Sequence, residues 1–204
     1  MEQKQIFTVK GVNAPKTKLG LAKMNKILEV AESLIANGNF FSTSVAEICK
    51  LTGTAVGTFY IYFESKAALY SYLMETYKHQ IKRRLAKSVQ TCTTRLEMER
   101  EGIKCFVKYA VENPNVYNVI WGSLAVDKPL FVEYYESFAK NYTKGLTKFN
   151  EEIRNLDYTT MSYALMGITN FVALKAIFEG LNEKQIDQMI DQNIMPFLSN
   201  GMFK

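Results

Sequence analysis

The residues able to do catalytic or metal chemistry are few and far apart. His79 is the lone histidine, and Cys49, Cys92 and Cys105 are the three cysteines, of this 204-residue chain. There is no HExxH run, no CxxC pair and no usable Ser-His-Asp set. Zinc sites, disulfide frameworks and nucleophilic triads are therefore not expected. The chain reads as a non-enzyme with no cofactor, no metal and no catalytic residue. A different chemistry is concentrated in residues 44–63, SVAEICKLTGTAVGTFYIYF. Here hydroxyl side chains alternate with small residues and two glycines. Such a stretch is built for hydrogen bonding and close backbone approach.

The elements that must position these residues are helical. Apolar residues recur at helical spacing almost throughout, and strand-like alternation is hard to find. The expected class is all-α, with about nine helices. A first helix over about 18–37 shows Met24, Ile27, Leu28, Ala31, Leu34 and Ile35 on one face and ends at Asn37-Gly38, where glycine suits a left-handed cap. Phe40 and Phe41 are expected to turn into the core. Ser44 to Glu47 has the spacing of a capping box and starts a short second helix, from which Ala46, Ile48 and Leu51 can pack inward. Gly53 allows a sharp bend into a third helix ending near Tyr62, and Gly57 leaves one face of it bare. Two short helices joined by a tight turn are the layout of a helix-turn-helix, whose second helix enters the DNA major groove.

Ser65 caps a long fourth helix on which Leu69, Leu73, Tyr77, Ile81, Leu85 and Val89 recur every four residues. That spacing drifts by about 40° per step on a 3.6-residue helix, so the stripe wraps, as suits a connector. Further helices are expected near 95–112, 114–122, 128–152, 157–180 and 183–199. Pro114 suits a helix start and Gly180 a C-cap.

Charge divides the chain in the same way. Residues 1–87 hold 13 Lys and Arg against 6 Asp and Glu, whereas residues 88–204 hold 12 against 14. A basic first part and a slightly acidic remainder point to a polyanion met by the first part alone. The apolar runs are shorter than a membrane span needs, and the polar start does not read as a secretory signal. With widely spaced, odd-numbered cysteines, a cytoplasmic protein without a membrane partner is expected.

Residues 27–77 resemble the N-terminal domain of TetR-family regulators. The matching features are Ala31, Asn37-Gly38, Phe40, Thr43-Ser44, Thr52-Gly53, Gly57-Thr58-Phe59-Tyr60, Tyr62-Phe63, Ser65-Lys66 and Leu69. The resemblance implies three parts: a flexible basic arm over 1–17, a helix-turn-helix domain over 18–66, and a helical ligand-binding and dimerisation domain over 67–204. It implies phosphate contacts from Thr43, Ser44, Tyr60 and Lys66. Thr54, Ala55, Val56, Gly57 and Thr58 would face the groove, and Tyr62 would lie at its edge. Phe59 and Phe63 would be core. The third helix carries no charge, unlike many family members. Without arginine or lysine to read guanine, an A·T-leaning operator is expected, with Lys10, Lys16 and Lys18 of the arm in a narrow minor groove.

The same resemblance implies a homodimer and a small-molecule pocket. Leu165, Ile168, Val172, Ile177 and Phe178 on 157–180, with Ile186, Met189, Ile190, Ile194 and Phe197 on 183–199, are the expected dimer helices. Two-fold symmetry then predicts a near-palindromic double-stranded DNA site. Phe106, Tyr109, Trp121, Tyr135, Phe138, Met166 and Asn170 are the candidate pocket, suited to a small apolar or neutral effector. The function expected is a repressor released from its operator by that effector. The alternative is a regulator of the same fold controlled by a protein partner.

Overall fold

A computed structural model describes residues 7–201 of the chain, so the first six residues of the expected arm lie outside the described residues. The described residues contain helices and one isolated antiparallel bridge, Val12 to Phe63, and no strand. The helices are α1 Lys18–Asn37, α2 Val45–Thr52, α3 Val56–Tyr62, α4 Lys66–Ser88, α5 Arg95–Glu112, α6 Pro114–Val126, α7 Lys128–Lys148, α8 Tyr158–Glu179, α9 Glu183–Met189 and α10 Met195–Gly201. A π-helical turn, Ile190–Ile194, joins α9 to α10 without leaving helical backbone, so the expected helix over 183–199 is one rod.

The chain forms two compact units. One is Met1–His79 with Asn115–Val132; the other is Gln80–Pro114 with Glu133–Lys204. Most of α6 thus belongs to the first unit, apart from the helix that precedes it and most of the one that follows. In the first unit α6 is bound to α4 by the Tyr70 hydroxyl, which donates to the Val119 carbonyl at 2.6 Å. Burial has raised the Tyr70 phenol well above its ordinary range, so it stays a donor.

The first unit builds its core from local signals. Thr17 caps α1 by accepting from the Gly20 amide at 3.0 Å. Met24, Ile27, Leu28, Ala31 and Ile35 are then buried along one α1 face, beside Ile48 of α2 and Phe59 of α3. Several expectations fail here. Gly38 has φ −112°, not the left-handed value; its amide returns to the Leu34 carbonyl and ends α1 that way. Phe41 is 68% exposed and Leu51 56% exposed, because the inward positions are filled by Phe40 against Tyr70 and by Ile48. The arm is tied down over residues 11–13. The Asn13 amide donates to the Tyr62 carbonyl at 2.8 Å and the Glu64 amide to the Gly11 carbonyl at 2.9 Å.

In the second unit α5 packs on α8 and α9. Ile103 and Val107 of α5 are buried, as are Leu165, Ala173 and Ala176 of α8 and Ile186 and Ile190 of the last rod. A charge ladder reinforces the α5–α9 side. Asp191, in the π-helical turn, accepts both Nε and Nη2 of Arg100 at 2.7 Å and Lys104 Nζ at 2.8 Å. These bonds, led by Arg100, hold the Asp191 carboxyl down to about 2. By length and composition alone, α8 is apolar enough to cross a membrane, which apolar run length does not reveal because single polar residues interrupt its sequence.

Candidate nucleic-acid interface

The helix-turn-helix is set by short-range bonds. The Ser44 hydroxyl accepts from the Glu47 amide at 3.1 Å, the serine half of the expected capping box, and starts α2. Gly53 ends α2 at φ 67°, where a side chain would be strained, and the Thr54 amide returns to the Cys49 carbonyl at 3.0 Å. The chain then turns directly into α3, which starts at Val56.

Phe59 and Phe63, both 0% exposed, are the core residues expected, with ring centroids 5.4 Å apart. They fix which side of α3 faces out. Val56, Gly57, Tyr60 and Ile61 lie at i, i+1, i+4 and i+5, one helical face. Ala55, Val56, Gly57, Tyr60 and Ile61 are all exposed. This face carries no charge, and its one side-chain polar atom is the Tyr60 hydroxyl. A Cβ added at Gly57 meets nothing in the chain within 4 Å, so no internal packing demands glycine there.

The other nominated residues are placed differently. Ser44 is exposed at the start of α2. Thr43 is buried and its hydroxyl donates to the Asn39 carbonyl at 2.9 Å. Thr54 and Thr58 are half-buried, and the Thr54 hydroxyl pairs with that of Thr52 at 2.7 Å. Tyr62, nominated for the groove edge, is 7% exposed and belongs to the inward face. Lys66, the first residue of α4, is half-buried; its ammonium donates to the carbonyls of Phe40 and Thr43 and lies 4.2 Å from the Phe40 ring centroid. The reading from sequence missed Ile61, although its spacing of four from Gly57 marks it.

The nominated pocket residues divide between the units. Trp121 falls in the first and the other six in the second. Within the second unit, the Tyr135 hydroxyl reaches Asn170 Oδ1 at 3.5 Å, and Asn170 Nδ2 donates to the Met166 carbonyl at 2.7 Å, linking α7 to α8. The Phe138 ring lies tilted against that of Tyr134, with centroids 5.0 Å apart. Tyr109 donates to Gln80 Oε1 at 3.2 Å, and Phe106 is half-buried on the same helix. Burial raises the Tyr134 phenol well above its ordinary range, so this aromatic group is uncharged at neutral pH.

Comparison with known proteins identifies the fold and a matching N-terminal segment. Residues 27–73 match the family model described as bacterial regulatory proteins, tetR family. An HTH-type transcriptional regulator of Bacillus subtilis (strain 168), YvdT, is 47% identical over 47 residues, which are 23% of this chain and 24% of that protein. The whole fold is similar to a TetR-family transcriptional regulator from Syntrophomonas wolfei, with TM-score 0.75 and 16% identity over 89% of this chain and 96% of that one. It is also similar to the fatty acid degradation regulator FadR from Bacillus halodurans, with TM-score 0.68 and 18% identity over 82% and 93% of the two chains. The matched segment runs from the second half of α1 to the middle of α4 and includes the turn and the exposed α3 face; over it the chain is similar to the tetR family of bacterial regulatory proteins, and its fold as a whole is that of TetR-family regulators of known structure.

Proposed function

We propose that this protein is a DNA-binding transcription regulator that acts as a homodimer, represses by occupying a near-palindromic operator, and is released by a small apolar or neutral effector. The observation that carries the reading is the outer face of α3: four exposed residues at helical spacing, uncharged, with a glycine that nothing in the chain requires. Such a face fits a major groove closely and reads methyl groups better than guanine edges. Val56 and Ile61 suit thymine methyls, which favours an A·T-leaning operator. Ser44 at the start of α2 and the Tyr60 hydroxyl are the proposed phosphate contacts.

The homodimer reading rests on apolar surface in the second unit. Phe171, Phe178 and Phe197 are 64%, 78% and 65% exposed. Leu165, Ile186 and Ile190, expected at the interface, are instead buried within their own chain, so the outer phenylalanines are the proposed contact. A second copy covering them by two-fold symmetry would remove this large aromatic surface from water. It would also account for the apolar character of α8. Replacing Phe171 and Phe178 together by aspartate should convert the dimer to monomer in analytical ultracentrifugation and abolish operator binding at nanomolar protein. A double variant that sediments as the wild type does would remove the proposed interface.

The effector site is proposed among Phe106, Tyr109, Tyr135, Phe138, Met166 and Asn170 of the second unit. Aromatic rings with one amide and two phenols suit an apolar body with a neutral polar end; the structural relative named for fatty acid degradation agrees in general character. Release requires that the effector bind two arrangements of the protein unequally.

The test of function is a titration of the purified protein against DNA from upstream of its own coding sequence. One near-palindromic site should bind tightly, with affinity falling steeply as salt rises. Tyr60→Phe should weaken it about fivefold by losing one hydrogen bond to phosphate. Binding equal on all sequences would refute the regulator reading. Operator release by a purified protein, with none from an apolar compound library, would favour the protein-partner alternative.

A further inference from the structure

Lys66 is an odd residue to find as the first residue of a helix. A positive charge there opposes the helix dipole, and Ser65 already supplies the cap by accepting the Ala68 amide at 3.0 Å. Its ammonium is half-buried and does not point freely into solvent. It donates to two main-chain carbonyls, those of Phe40 and Thr43, which lie 26 and 23 residues earlier in the chain. The centroid of the Phe40 ring sits 4.2 Å away, and the same ring packs edge-to-face with Tyr70 of α4, centroids 5.2 Å apart. Burial lowers the Lys66 pKa from its ordinary value, a sign that water has been replaced around the ammonium. The two carbonyls belong to the turn that delivers Thr43 and Ser44, and hence the first turn of α2.

We propose that Lys66 is a positioning residue for DNA binding: its ammonium clamps the turn before α2 to the first residue of α4, and it acts on the operator through the placement of Ser44 more than as a neutraliser of phosphate charge. This rests on the DNA-binding reading above. An ammonium has three donors, and two are committed to carbonyls here.

The clamp and a phosphate contact differ in what they do to salt dependence. A lysine that neutralises a phosphate contributes about 0.9 to the slope of log affinity against log salt. Lys66→Met keeps the apolar stem and removes the donors. The expected result is operator affinity lower by about tenfold, as for the loss of charge-assisted hydrogen bonds, with the salt slope unchanged. In the DNA-free protein, the Glu47 and Ile48 amides, which bond to Ser44, should exchange with solvent about tenfold faster. Phe40→Leu, which removes the ring face, should weaken binding in the wild type and add nothing further in Lys66→Met. A Lys66→Met variant with circular dichroism and melting like the wild type, but with a slope smaller by about 0.9 and unchanged exchange at Glu47 and Ile48, would overturn the proposal. So would an unchanged affinity. Should the wild type bind no DNA at all, the DNA-binding reading fails by that result, and the exchange measurement still decides whether the clamp exists.

Discussion

Gly57→Ala should stabilise the free protein and weaken its grip on DNA. Glycine within a helix costs about 0.5–1 kcal/mol relative to alanine. The new methyl group at this position meets no atom of the chain within 4 Å, so nothing offsets that gain. The melting temperature should therefore rise by a few degrees. If α3 enters the groove as proposed, the same methyl would stand between the α3 backbone and the base edges. Overpacking of a close-fitting surface costs about 1–3 kcal/mol, or roughly tenfold or more in affinity. Thermal melting and fluorescence anisotropy on one preparation give both numbers. A rise in stability with unchanged affinity would mean that α3 does not approach the groove closely at Gly57. A fall in both would mean that the helix is disturbed.

Glu99→Ala should be among the most destabilising single changes in the second unit. Glu99 is 1% exposed, and Arg95 and Tyr142 both donate to one or other of its carboxylate oxygens. The Arg95 amide is held in turn by Glu152 Oε2 at 2.7 Å, and the guanidinium lies over the Tyr142 ring at 5.1 Å. Burial, followed by the Glu99 charge, raises the Tyr142 phenol well above its ordinary range, so it remains a donor at any physiological pH. Removing the carboxylate leaves a buried guanidinium without its counter-charge, which costs about 3–5 kcal/mol. Replacing both partners, Arg95→Met with Glu99→Leu, should recover much of the loss, because the desolvation of two ions disappears with them. Urea denaturation, with amide exchange on α5 and α7 to localise the effect, tests this. If the single and double variants lose the same stability, packing around the pair matters and its charge does not.

Gly145 belongs to the same cluster. A Cβ there would lie 2.8 Å from the Arg95 guanidinium, so any side chain at this point of α7 would force the arginine to shift. Nothing local to Gly145 announces this. It is a glycine in the last turn of α7, and the group it faces stands 50 residues earlier in the chain.

That contrast separates what the sequence alone determines here from what only the tertiary structure decides. Helix starts and the recognition turn depend on atoms a few bonds apart. Ser44 capping α2, Gly53 bending the chain, Ser65 starting α4 and Gly180 ending α8 are therefore readable in order along the chain. The burial of Phe59 and Phe63 follows from helical spacing, and so does the outer α3 face. Periodicity names a face but not the partner that covers it. Phe41 and Leu51 look as apolar as Phe40 and Ile48, yet they are exposed, since the inward volume is already occupied. Leu165 and Ile190 look as suitable for a dimer contact as Phe171 and Phe197, but the first pair is buried within its own chain. The placement of α6 with the first unit, the Gly38 conformation and the two carbonyls held by Lys66 all depend on groups distant in sequence. Local propensity fixes the elements of this protein. Competition for a limited buried volume, and the need of each buried polar group for a partner, decide how those elements are used.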